Sequence, residues 1–115
     1  MPIYRVAAIQ MASGSNVNAN LHEATRLILE AVNMGAKLII LPENFALMAM
    51  HPTDSVKIRE QPGCGPLQDF LSQQAARYGV WIVGGTLPLI ADHPQKVRAA
   101  CLVFDDTGDC VARYD

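Results

Sequence analysis

Leu38-Ile39-Ile40-Leu41 is an unbroken apolar run closed by Pro42 and a carboxylate, Glu43, and few architectures can house it. A strand sends successive side chains to opposite faces, so a strand apolar at every position needs both faces covered, as in a parallel sheet. Parallel neighbours require a crossover of a dozen or more residues, usually a helix. The preceding residues supply one. From Val17, apolar side chains recur at Leu21, Ala24, Ile28, Ala31 and Val32, a three-and-four spacing that gathers on one helical stripe. Asn16 suits the cap and Gly35 the stop. Before the helix, Ile3 to Ile9 reads as a mostly buried strand bounded by Pro2 and by Ser13-Gly14-Ser15-Asn16. A β-α-β unit follows.

Beyond Pro42 the pattern loosens. The stretch from Pro42 to Gly65 holds three prolines and no clean period, and its apolar patch, Phe45 to Met50, carries no assignable element. Gly65-Pro66 opens a second helix with Leu67, Phe70, Leu71, Ala75 and Tyr78 on one side, and Gly79 closes it. Val80 to Val83 reads as a third buried strand ending at Gly84-Gly85, where no side chain obstructs close approach by a neighbouring segment or a ligand. Ala99 to Phe104 and Cys110 to Tyr114 flank the turn-rich Asp105 to Asp109 and predict a hairpin. The order β-α-β-α-β-β-β contains no repeat and no linker. It predicts an α/β fold over residues 1–115, with nothing after the last strand to cover the sheet's other face.

Composition narrows the partners. Eleven acidic against nine basic residues give a net charge of −2 with no run of either sign, which argues against a nucleic-acid partner. Met1 to Arg5 lacks the pattern of a signal peptide, and no apolar run approaches membrane-spanning length, so a cytoplasmic protein with no membrane partner is expected. Cys64, Cys101 and Cys110 are odd in number and unpaired by spacing, which predicts free thiols; Cys101 and Cys110, within strands, are expected to act as small core hydrophobes. His22, His51 and His93 are scattered. Neither a metal nor another cofactor is expected.

Glu43 is the residue with the most chemical promise. It follows a buried strand at its C-terminal end, where open α/β sheets bind ligands, and apolar surroundings would raise its basicity toward the range useful for proton transfer. Position alone leaves a second reading, a carboxylate that begins a solvated loop. Phe45, Met48 and Met50 are candidates for a pocket mouth or for ordinary packing. Cys64, between two glycines, has no sequence neighbour that would lower its pKa. Lys37 stands at the opposite end of the strand from Glu43, and Lys96 in a polar turn.

The blocks Val6-Ala7-Ala8-Ile9-Gln10-Met11, Asn20-Leu21, Gly35 to Phe45 with Leu-Pro-Glu-Asn-Phe at its end, Val83-Gly84-Gly85-Thr86 and Asp105…Tyr114-Asp115 run through the whole chain. In order and spacing they resemble the opening half of the nitrilase, or carbon-nitrogen hydrolase, superfamily. The resemblance implies an α-β-β-α sandwich of which residues 1–115 are the N-terminal part of a single domain, contributing to both sheets. It also implies hydrolysis of a non-peptide carbon-nitrogen bond, carboxamide to carboxylic acid and ammonia, by a glutamate, a lysine and a cysteine. Glu43 matches the glutamate and Phe45 falls in the segment that shapes the substrate pocket. In the family pattern the lysine follows the Tyr-Asp pair directly and the cysteine lies farther on; neither is among these residues, so the 115-residue chain alone is expected to be inactive. Gly84 to Pro88 and Met48 to His51 are most similar to the branch that hydrolyses deaminated glutathione and related ω-amides.

Two other classes compete with the amidase. A dinucleotide site is disfavoured because Met11-Ala12-Ser13-Gly14-Ser15 replaces the glycine fingerprint after the first strand. A non-catalytic α/β binding or interaction domain is the main alternative. For the amidase the expected partner is a small-molecule amide substrate, and unpaired strand edges and uncovered apolar faces point to a homo-oligomer.

Overall fold

The computed structural model describes residues 3–115; Pro2, expected to bound the first strand, lies outside them. The elements are β1 (Arg5–Ala8), α1 (Val17–Asn33), β2 (Ala36–Leu41), α2 (Asp54–Lys57), α3 (Pro66–Tyr78), β3 (Trp81–Ile90), β4 (Val97–Phe104) and β5 (Cys110–Tyr114). The two long helices form where the apolar spacing predicts them. Asn16 Oδ1 accepts the Ala19 N–H at 2.9 Å, pairing a donor that the first turn of α1 leaves free, and Ala24, Ile28 and Ala31 of the stripe are buried. Pro66 occupies the first turn of α3, and Gly79 ends it.

The strands form a single sheet in the order β1-β2-β3-β4-β5, parallel across the first three and antiparallel across the last two. Because β1, β2 and β3 are consecutive neighbours, both crossovers step the same way, and crossovers of one hand put their helices on one face. Accordingly α1 packs on β2, α3 on β3, and the helices touch each other. Beneath them run the rows Ala7–Ile39–Ile82–Phe104 and Leu41–Gly84–Leu102. Ile28, Leu71, Ile39 and Ile82 are fully buried there.

The other face carries the rows Val6–Leu38–Trp81, Ala8–Ile40–Val83–Val103–Ala112 and Gly85–Cys101–Tyr114. Nothing among the described residues covers it. Ile40, Trp81, Val6 and Tyr114 are 37%, 42%, 53% and 79% exposed. Three expectations therefore change. Residues 3–115 form one sheet rather than parts of two, with both long helices on one face. β1 is mostly exposed rather than mostly buried, because it is an edge strand with one open face. Cys110 lies on edge strand β5 and is exposed, so it is not a core hydrophobe.

β3 also runs past Gly84-Gly85 to Ile90. The ladder with β4 steps from Gly85↔Cys101 to Leu87↔Ala100, leaving Thr86 without an opposite residue. One extra residue on one strand is a β-bulge, and it inverts the alternation that follows. Val83 faces the open side and is half-buried, whereas Leu87 and Leu89, of the same parity, are buried in the core. The bulge lets one strand serve the helix-covered core at both of its ends.

Candidate active site

β2 delivers its last residue, Leu41, opposite Gly84 of β3, and Pro42-Glu43-Asn44 turn away from the sheet at that point. Pro42 cannot donate a ladder hydrogen bond, so the strand stops. Glu43 is exposed. The expectation that apolar neighbours desolvate Glu43 is not met among the described residues, where its side chain is exposed.

The backbone after Glu43 is held tightly. Asn44 adopts the left-handed conformation (φ 55°), uncommon for a residue with a side chain and tolerated best by Asn and Asp. Its N–H donates to Thr86 Oγ1 at 3.2 Å, and Thr86 Oγ1 donates to Asn44 Oδ1 at 3.4 Å. The Phe45 carbonyl accepts from Ser13 Oγ at 2.8 Å, and the Ala46 carbonyl from Asn20 Nδ2 at 2.8 Å. Asn20 is itself buried and completes its pairing on Gly14, donating to its carbonyl at 2.9 Å and accepting from its N–H at 3.0 Å. Three segments, the β1–α1 loop, α1 and β3, thus converge on the residues that follow Glu43.

Phe45 is fully buried in the core, where it anchors the loop by packing. Met48 and Met50 are exposed farther along the same loop. The structure therefore brings the loop that follows Glu43 together with Asn20, Ser13 and Thr86, whose contributions the spacing alone did not reveal. Asn20 did carry a signal: it lies on the apolar stripe of α1, four residues before Ala24, where a polar side chain must find partners.

The other nucleophiles and cations lie elsewhere. All three cysteines are free, with Cys64 exposed. Cys101 is half-buried on the open face, and burial pushes its thiol pKa up, away from the thiolate a nucleophile needs. Lys37 is exposed at the start of β2, the far end from Glu43, and Lys96 is exposed in the β3–β4 connection. Among the described residues no group of three His, Cys, Asp or Glu could hold a metal, and no helix is long and apolar enough to cross a membrane.

Residues 5–115 match the carbon-nitrogen hydrolase family. The deaminated glutathione amidase of Yersinia enterocolitica is 38% identical over 111 residues, an alignment covering 96% of this chain and 38% of that protein. Omega-amidase NIT2 of Danio rerio is 31% identical over 114 residues, covering 99% of this chain and 40% of its own. Among solved structures, Nit3 of Saccharomyces cerevisiae, a nitrilase-superfamily member, superposes with a TM-score of 0.83 at 26% identity, covering 96% of this chain and 43% of that one. The NitFhit protein of C. elegans, at 19% identity and a TM-score of 0.84 over 97% of this chain and 28% of its own, shares the fold. The chain spans about two-fifths of the length of these curated relatives. With the match extending from β1 to the last residue of the chain, this protein belongs to the carbon-nitrogen hydrolase family.

Proposed function

We propose that these residues are the N-terminal part of a carbon-nitrogen hydrolase domain that converts a small carboxamide into a carboxylic acid and ammonia, with Glu43 as its general base. The observation that carries the reading is the placement of Glu43 at the C-terminal end of β2, on a backbone fixed by Thr86, Ser13 and Asn20. A base is effective when it is already aimed, and this loop is aimed without help from the carboxylate itself. In the reaction a cysteine thiolate attacks the amide carbonyl and ammonia leaves. Water then cleaves the thioester, releasing the acid and restoring the thiol. Glu43 accepts the thiol proton and passes it to the leaving nitrogen in the first half, then takes a proton from water and returns it to the cysteine sulfur in the second, while a lysine stabilises the oxyanion. The lysine and cysteine are supplied by sequence outside these 115 residues.

The amidase names of the relatives support an ω-amide or deaminated glutathione as substrate class. The test is ammonia release from those amides by the full polypeptide in which this sequence is encoded. Glu43→Gln, which keeps the shape and removes the base, is expected to lower kcat by roughly a hundredfold to ten-thousandfold. Undiminished ammonia release by Glu43→Gln would remove Glu43 from the mechanism.

A further inference from the structure

We infer that Thr86 is a positioning residue for Glu43, its hydroxyl holding the peptide plane that joins Glu43 to Asn44; this rests on the general-base reading of Glu43. The Asn44 N–H belongs to that peptide, so its bond to Thr86 Oγ1 at 3.2 Å restrains the backbone on the C-terminal side of Glu43. Glu43 is exposed, and little packing holds its side chain. The direction in which its carboxylate leaves the chain is therefore set by the backbone.

That backbone has an alternative it must be kept from. Asn44 sits at φ 55°, a conformation that costs an L residue energy and persists where neighbours impose it. Thr86 imposes it from both ends of the residue, accepting from its N–H and donating to its Oδ1 at 3.4 Å. Thr86 can reach Asn44 because it is the bulged residue of β3, freed from the alternation between faces that binds Gly85 and Leu87 to β4. Bulges beside functional sites re-aim single side chains in this way. The same bulge serves core packing through Leu87 and Leu89, but that role requires the extra residue and makes no use of its hydroxyl.

The hydroxyl is tested in the full polypeptide with Thr86→Val, which keeps the branched shape, Thr86→Ala, which cannot overpack, and Thr86→Ser, which keeps the oxygen. Glu43→Gln is measured in parallel. Val and Ala are expected to lower kcat on the order of tenfold to a hundredfold with KM little changed, and Ser to retain most of the rate. Should Val not fold, Ala is read in the same way. Unchanged kcat in Val or Ala, with Glu43→Gln inactive, would overturn the positioning role and leave the base assignment standing. Ser as impaired as Ala would also overturn it, because packing rather than the hydroxyl would then matter. Full activity in Glu43→Gln would overturn the base assignment and the positioning role together.

Discussion

At the scale of single residues, the chain commits a buried carboxylate, Glu60, to architecture. Gly65 precedes α3 and has no side chain with which to cap it, so the first turn takes its acceptor from Glu60. Glu60 Oε2 accepts the Leu67 N–H at 2.6 Å, and Oε1 accepts the Gln68 N–H and Gln68 Nε2, each at 3.1 Å. A Cβ at Gly65 would collide with that carboxylate, which makes glycine the residue that fits there. Glu60 also pairs through its backbone with Pro88 and Ile90, tying the far end of β3 to the start of α3. Glu60→Ala leaves two N–H groups without partners in a buried site and is expected to cost about 2 kcal/mol. Urea unfolding checks this as a lowered midpoint at unchanged slope. Glu43 was legible because a carboxylate after a buried run and a proline is conspicuous. Glu60 was not, because its partners lie seven and eight residues away across a turn that gives no periodic signal.

At the scale of elements, the apolar runs and caps were enough to place α1, β2, α3 and the β4–β5 hairpin, since each is specified by its own residues. What escaped was β3 beyond Gly84-Gly85. Its alternation breaks at Thr86, and a bulge is imposed by the partner strand rather than announced by local sequence. The glycines have a different meaning from a strand end. A Cβ on Gly84 would lie 2.5 Å from Leu71 Cδ1, so the missing side chain lets α3 settle on the sheet. The close approach anticipated from the sequence is made there by a helix. Gly84→Ala is expected to destabilise the chain by roughly 1–3 kcal/mol through overpacking. Leu71→Ala alone opens a cavity and costs roughly 2–5 kcal/mol. In the double variant the new methyl enters the space Leu71 vacates, so the combined loss is expected to fall short of the sum. Strict additivity in thermal or urea unfolding would show that the two side chains do not meet.

At the scale of the whole molecule, the sheet has one face finished and one face open, and the difference follows from topology. Two same-handed crossovers commit both long helices to one side, and the short connections among β3, β4 and β5 provide nothing for the other. The sequence shows both faces of β2 to be apolar but does not state which partner covers the second. Val6, Ile40, Trp81 and Tyr114 keep a third or more of their surface in water, from neighbouring rows of one sheet face. β1 and β5 add unpaired backbone edges on either side. Apolar patches and free edges of this kind bury themselves against whatever is available. For the isolated 115-residue chain the available surface is a second copy, and we expect concentration-dependent association through the open face. Trp81, the sole tryptophan, lies on that face and reports directly on it: its emission should shift to shorter wavelength as the chain is concentrated. Ile40→Lys places a charge in the middle of the face and should abolish both the shift and the association. Sedimentation supplies the decisive contrast, since a single 12.5 kDa species that persists as concentration rises, with Trp81 emission unchanged, would mean that the open face is stable in water as it stands.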